Sequence, residues 1–217
     1  MVKFNNNCSS FCSLCSGKIY FYGRFQNRSY FRCKNCESIM LGRNNYPSSA
    51  EEKKRYLEHN NDVNDIRYQN FVKPLISAIT DDFQKHHKGL DYGAGPGPVI
   101  TKMLIDCSYN IKAYDPYFYN YPYYLKEKYD YIVCCEVIEH FHKPYYEFKK
   151  LKKMLNEKGR LYFKTELFGE DVDFGKWYYK NDFTHVFFYT EKAIYWIKNE
   201  FDFRDVTING RLIIFSN

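Results

Sequence analysis

The stretch Gly89-Leu-Asp-Tyr-Gly-Ala-Gly-Pro-Gly97 limits what this chain can fold into more than any other segment. A short apolar run opens into glycines at 93, 95 and 97, and the segment from about Pro98 to Ile105 reads as a helix. Glycine lets a backbone turn tightly and approach a ligand closely. Proline suits a first helical turn, where its missing N–H leaves nothing unpaired. A strand feeding a glycine turn and then a helix opens many nucleotide-binding α/β sheets. Here the spacing is G-x-G-x-G, and Pro98 stands where the dinucleotide fingerprint has its last glycine. Ile111–Tyr114 reads as a second strand ending in Asp115, an acid roughly 20 residues past the glycines and so placed to hold ribose hydroxyls.

Further elements fit one sheet. Tyr129–Cys135 is expected as a strand ending in Glu136. Pro144–Asn156 is expected as a helix closed by Gly159, with Arg160–Thr165 the strand after it. A last helix is expected from about Glu191 to Asn199. Val206–Phe215 reads as a hairpin around the dipeptide Asn209-Gly210. A parallel sheet finished by an antiparallel hairpin is not the usual nicotinamide-binding topology.

The first 45 residues carry a different signal. Cys12-x-x-Cys15 and Cys33-x-x-Cys36 are two tight pairs separated by 17 residues, the zinc-ribbon pattern. The segment between them reads as two aromatic strands around Gly23–Asn27. Four protein ligands leave no open position, so a zinc ion there is expected to be structural. Such spacing argues for metal in a reducing compartment over disulfides, hence for the cytoplasm. The N-terminus lacks the apolar region of a secretory signal, and no apolar run reaches the roughly 20 residues that cross a bilayer. Cys8 has no assigned partner, and Cys107, Cys134 and Cys135 are expected in the core. Between ribbon and sheet, residues 46–85 form a helical linker. Ser48 or Ser49 with Glu51 or Glu52 begins a capping box for a helix through about Glu58. His59–Asp62 breaks it, and a second helix is expected to carry Tyr68, Phe71, Val72, Leu75, Ile76 and Ile79 on one face, with Pro74 kinking it or marking a new first turn. The linker is expected to pack on the sheet, or to act as a lid whose His59–Asp62 loop closes over the cofactor.

Residues 86–217 resemble the class I S-adenosylmethionine-dependent methyltransferases, whose Rossmann-like sheet ends in a reversed strand. The stretch Tyr129-Asp-Tyr-Ile-Val-Cys-Cys-Glu-Val-Ile-Glu-His-Phe141 looks like the ubiquinone-biosynthesis type, with its E-x-x-E-H sequence after the fourth strand. The ribbon, the His-Asn-Asn loop and Asp182-Phe-Thr-His-Val186 together resemble a bacterial group of zinc-ribbon methyltransferases. The resemblance implies that Asp91, Gly93, Gly95 and Gly97 meet the methionine part of S-adenosylmethionine, and Asp115 its ribose. Tyr129 follows Pro116 by only 13 residues, too few for the family's third strand, so that strand and its adenine-reading acid are expected to be missing. The aromatic run 116–124 then either covers the exposed sheet edge, or Tyr117 or Phe118 stacks on adenine.

Methyl transfer from a sulfonium needs positioning, plus a base where the nucleophile carries a proton. Glu136, Glu139 and His140 share one face of a helical turn. They are expected to bind a divalent cation such as magnesium, or His140 is the base; the alternative is a turn held by capping and a Lys143 salt bridge. His142 is expected in solvent, as are His86 and His87. His185 is the second candidate base, with Asp182 fixing its tautomer; the alternative is a core histidine. The favoured acceptor is a small molecule, because the ubiquinone-type enzymes act on small phenols and a net charge of +6 is mild. The alternative is RNA docked on the ribbon through Lys18, Arg24, Arg28, Arg32, Lys34 and Arg43. A binding module without turnover is a third reading, opposed by the intact glycines and Asp115.

Overall fold

The computed structural model describes residues 10–59 and 62–217. Cys8, and Asn60 and Asn61 of the expected lid loop, lie outside the described residues.

The first strands are β1 (Ile19–Phe25) and β2 (Arg28–Cys33), an antiparallel hairpin. Its loop is Gln26-Asn27, both at positive φ (49° and 60°), rather than the wider Gly23–Asn27 turn. Gly23 instead sits at a register shift inside β1. β3 (Ile39–Leu41) adds to β2 and also pairs with β8 (Phe187–Phe188). The apolar run Val186–Tyr189 therefore completes the sheet of the cysteine-bearing segment, a pairing that strand patterning within either segment cannot reveal. Phe174 and Phe188 pack their rings against Tyr30 at 5.0 and 6.2 Å, so one buried aromatic core spans both.

Helix α1 (Ser49–Glu58) starts on the expected capping box, with Ser48 and Glu51 each bonding the other's backbone N–H. Helix α2 (Ile66–Asp82) runs through Pro74 and buries Val72, Leu75, Ile76 and Ile79. Then come β4 (Lys88–Tyr92), α3 (Val99–Asp106), β5 (Asn110–Tyr114), β6 (Tyr129–Cys135), α4 (Pro144–Met154), β7 (Leu155–Lys164), α5 (Glu191–Glu200), β9 (Asp205–Asn209) and β10 (Leu212–Ser216). The second sheet has the order β5-β4-β6-β7-β10-β9, with β4, β5, β6 and β7 parallel and β10 antiparallel to β7. β5 is its edge. The chain leaves it through a short turn at Pro122–Lys126, so the expected third strand is missing. Tyr131 and Val133 face α2 and α3, while Ile132 and Cys134 belong to the core under α4 and α5, the alternation of a strand buried on both faces.

Three local expectations shift. Helix α4 ends at Met154 and β7 begins at once, so Gly159 lies inside the strand, where an added Cβ would meet the Asp130 carbonyl at 3.1 Å. Asn209 pairs with Leu212, so the two loop residues of the last hairpin are Gly210 and Arg211, with Gly210 at φ 56°. Cys107 is exposed at the end of α3 rather than buried.

Candidate active site

A cavity of about 900 Å³ opens where β4, β5 and β6 end, roofed by α1. This lies near the upper end of ordinary small-ligand pockets.

One end is built almost wholly from backbone. Past Tyr92 the chain turns at Gly93 (φ 79°) and Gly95 (φ 66°), both in the left-handed region that glycine enters without strain. Gly93 and Ala94 donate their N–H groups to the Tyr114 carbonyl at 2.8 and 3.1 Å, fastening the turn to β5. A Cβ on Gly93 would stand 2.7 Å from Val137 Cγ2. Asp115 accepts from the amides of Gly95 (3.0 Å), Tyr117 (2.8 Å) and Phe118 (3.2 Å). Burial raises its pKa, and these three donors oppose that rise.

Gly93, Gly95, Asp115 and Tyr117 line the cavity. Asp91, Gly97 and Phe118 stand behind its wall. Asp91 is buried and accepts the Thr101 hydroxyl at 2.9 Å, tying β4 to α3, and burial pushes its carboxyl up to about 7. The Gly97 carbonyl accepts from Val99 N at the start of α3. The Phe118 ring packs on Tyr117 and lies 6.0 Å from the Lys53 ammonium.

Above this end, α1 supplies what no third strand does. The Tyr117 hydroxyl donates to Glu52 at 2.7 Å, and Glu52's other oxygen is 2.9 Å from His142 Nε2. His142 is thus part of the cavity wall rather than free in solvent.

The other end is built from side chains. Glu136 closes β6 at φ 53°, unusual for a residue with a Cβ, and is followed by a short 3-10 turn over Ile138–His140. Arg211 of the last hairpin donates to both Glu136 oxygens at 2.7 and 2.6 Å. Glu139 is fully buried; it accepts from Thr165 at 3.0 Å and from the Tyr179 hydroxyl. Burial pushes Glu139 up to about 7; burial, then the neighbouring Glu139, does the same to Glu136. His140 Nδ1 donates to the Thr184 carbonyl at 2.9 Å, and His185 Nδ1 to the Tyr179 carbonyl at 2.6 Å. Both rings line the cavity, 4.8 Å apart, and each keeps the Nε2 lone pair free of its backbone bond. Burial lowers the pKa of both, His185 to about 3, so both are neutral at pH 7. Asp182 does not fix the His185 tautomer as expected. It binds Thr184 N–H and hydroxyl at 3.0 and 2.6 Å and Arg55 at 2.9 Å.

Glu139, His140 and His185 bring three ligand atoms within 4.8 Å of one another. Magnesium fits this set poorly. It takes oxygen ligands, two of the three donors here are imidazoles, and both Glu139 oxygens already accept hydrogen bonds. Glu136 is held by Arg211, and Lys143 meets no acid among the described residues. Sequence reasoning missed Glu52, Arg55, Tyr56, Tyr179 and Arg211. Only the acid of the α1 capping region carried a local signal, and it named a helix start.

Away from the cavity, the four Sγ atoms of Cys12, Cys15, Cys33 and Cys36 lie within 4.8 Å of one another, with Cys12–Cys36 at 3.7 Å and Cys15–Cys33 at 3.4 Å. Zinc–sulfur bonds of about 2.3 Å set tetrahedral edges of about 3.8 Å, so the cluster fits a zinc ion.

A strand–glycine turn–helix unit, an acid at the next strand end and a reversed last strand define the class I methyltransferase fold. The family model described as "Methyltransferase domain" matches residues 65–208, and the chain belongs to that family. No curated protein matches the sequence significantly. Among solved structures, the fold is similar to an O-methyltransferase family protein from Burkholderia thailandensis (TM-score 0.52, 10% identity, 80% of this chain and 64% of that one). It is also similar to magnesium protoporphyrin IX methyltransferase from Synechocystis with bound S-adenosylhomocysteine (TM-score 0.50, 14% identity, 81% and 97%). A third is phosphoethanolamine N-methyltransferase 2 from Haemonchus contortus (TM-score 0.51, 13% identity, 63% and 38%). The chain spans about half, 56%, of a structurally similar protein from Nostoc punctiforme.

Proposed function

We propose that this chain transfers the methyl group of S-adenosylmethionine to a proton-bearing nucleophile, foremost a hydroxyl, on a small-molecule acceptor. The observation that carries this reading is the pair of neutral imidazoles at the cavity end opposite the cofactor turn. Each has its Nδ1–H anchored on a backbone carbonyl and its Nε2 lone pair free to take a proton. S-adenosylmethionine, when bound, supplies an electrophilic methyl on a sulfonium. The Gly93–Gly95 turn would pass close to its methionine part and Asp115 would accept from its ribose. Tyr117, steadied by Glu52, lies beside Asp115 where a base ring would stack. His140 or His185 would remove the acceptor's proton, and buried Glu139 and Tyr179 keep the two histidines in register. No step is assigned to magnesium. Zinc is proposed at the four cysteines, as a structural ion that ties the ribbon's two knuckles together.

Calorimetry with S-adenosylmethionine, S-adenosylhomocysteine and NADH tests the cofactor. Binding of the first two at micromolar concentration is expected; NADH binding in their place would sink the reading.

A further inference from the structure

The net charge of the chain is not spread over it. Residues 1–46 hold seven of the 32 Lys and Arg but one of the 26 Asp and Glu, leaving 25 of each in the remainder. With the cysteines counted as neutral, the whole excess of +6 therefore belongs to the ribbon segment and its N-terminal extension, and a zinc ion held by four thiolates would leave the segment clearly basic. Its single acid, Glu37, is already engaged by Arg32 and by Lys192 of α5. Lys18, Arg24, Lys34 and Arg43 are exposed and meet no acid among the described residues.

The same segment exposes aromatics on the sheet face turned away from the core. Tyr30 points inward, so its neighbours Ser29 and Phe31 point outward. Phe21 pairs with Phe31, and their rings meet edge to face at 5.9 Å. Arg24 pairs with Ser29 and so shares that face. Phe21 is 54% exposed, and Phe11, bridged to Lys18, is 53% exposed. A shallow groove along this face is lined by Phe11, Ile19, Phe31, Met40, Arg43 and Tyr46. Its last member connects two sites: the Tyr46 ring lies 4.6 Å from His142, on the wall of the large cavity.

We infer that this outer face is a docking surface for single-stranded RNA, reaching as far as Tyr46, whose ring lies against His142 of the cavity wall. Exposed rings offer stacking platforms to unpaired bases, and cations free of protein acids offer phosphate contacts; together they are the signature of single-strand binding. Lys18 and Lys34 are neighbours at one end of the hairpin, and Arg24 stands about 20 Å along β1 from them, so the cations suit a chain of phosphates better than a single one. RNA, rather than a duplex, presents unstacked bases in loops and ends. An acidic protein would match the charge but leaves the exposed rings without a stacking partner. The surface lies outside the cavity, and its occupancy is measured without cofactor, so its failure leaves the transfer reaction untouched.

The test is fluorescence anisotropy of the full zinc-loaded chain with a labelled, mixed-sequence, twelve-nucleotide RNA at about 50 and 200 mM salt. Micromolar binding that weakens with salt is expected. Replacing Lys18, Arg24, Lys34 and Arg43 by Ala should flatten the salt slope by about 3. Phe21→Ala should weaken binding about tenfold with the slope unchanged. Each variant is checked for full zinc content and unchanged S-adenosylhomocysteine affinity, so that misfolding is recognised. Absence of binding at about 100 μM, equal binding of double-stranded RNA or heparin, or an unaltered slope in the four-site variant would each overturn the inference.

Discussion

The two ends of the cavity are made differently. The proposed cofactor end comes mainly from one contiguous stretch, residues 89–118, with Glu52 of α1 above it, and its parts are mostly backbone amides and glycine conformations. The acceptor end gathers α1, the turn after β6, the segment around Tyr178–His185 and Arg211 of the last hairpin, all acting through side chains. A site made of backbone tolerates any residue that leaves the turn intact, so it can stay the same while the acceptor changes. One made of side chains from four segments can be retuned one contact at a time. The difference predicts that substitutions at the two ends separate affinity from turnover.

The largest effect should come from Gly95→Val, which puts a β-branched side chain at φ 66° in the turn. Loss of S-adenosylmethionine binding by more than about 100-fold in calorimetry, with the fold intact by circular dichroism, is expected. Near-normal affinity would mean that the cofactor does not pass this turn. At the acceptor end, His140→Ala and His185→Ala should lower turnover about 10²–10⁴-fold while cofactor affinity changes little. Equal losses in both quantities would erase the distinction between the ends.

That distinction also explains what the sequence disclosed. The glycine turn, Asp115, the α1 capping box and the missing third strand are local or are set by loop length, and all were readable. The clustering of the four cysteines was readable because their spacing is the one that fits a metal-binding ribbon. The acceptor end was only half visible. Glu139, His140 and His185 were named for their chemistry, but the groups that hold them were not, because Tyr179 looked like one aromatic among several and Arg211 like a turn residue. The β3–β8 pairing was hidden for the same reason: two and three apolar residues, 147 positions apart at Met40 and Phe187, carry no local mark of being partners. His142 was misplaced because its partner, Glu52, sits 90 residues away.

Removing Cys33, a proposed zinc ligand, should propagate unequally. Leu41 N–H bonds the Val186 carbonyl, and Val186 N–H bonds the Glu139 carbonyl, both at 2.9 Å, so the ribbon's third strand leans directly on the acceptor end. Cys33→Ser is expected to abolish the one zinc per chain found by elemental analysis and to lower Tm by several degrees. S-adenosylhomocysteine affinity should change less than turnover. A protein purified natively without zinc would refute the metal assignment. A smaller effect is expected from Tyr117→Phe, which deletes one hydrogen bond to Glu52. Cofactor affinity should drop about fivefold, the value of one partly buried hydrogen bond; no change would place the base ring elsewhere.

The smallest effect is in pH dependence, where two buried neighbours should act with opposite signs. His185 is held at about 3 by burial, below its ordinary value of 6.5. The folded state resists its protonation, so its contribution to stability is complete above about 6.5 and is lost as pH falls toward 3. Glu139 is held at about 7, above its ordinary 4.5, again by burial. The folded state resists its ionisation, so its contribution is complete below about 4.5 and is lost as pH rises through 7. Between these limits the two slopes oppose each other, and the intact protein should show a flat Tm from pH 6.5 to 4.5 as far as this pair is concerned. His185→Gln leaves the carboxyl alone, so Tm should rise as pH is lowered through that window. Glu139→Gln leaves the imidazole, so Tm should fall relative to the intact protein, which shares the opposing contributions of Asp91 and Glu136. Scanning calorimetry of both variants across the window measures the two slopes directly. Slopes of the same sign would mean that the pair does not titrate as buried neighbours, and that the acceptor end admits water as freely as the cofactor end.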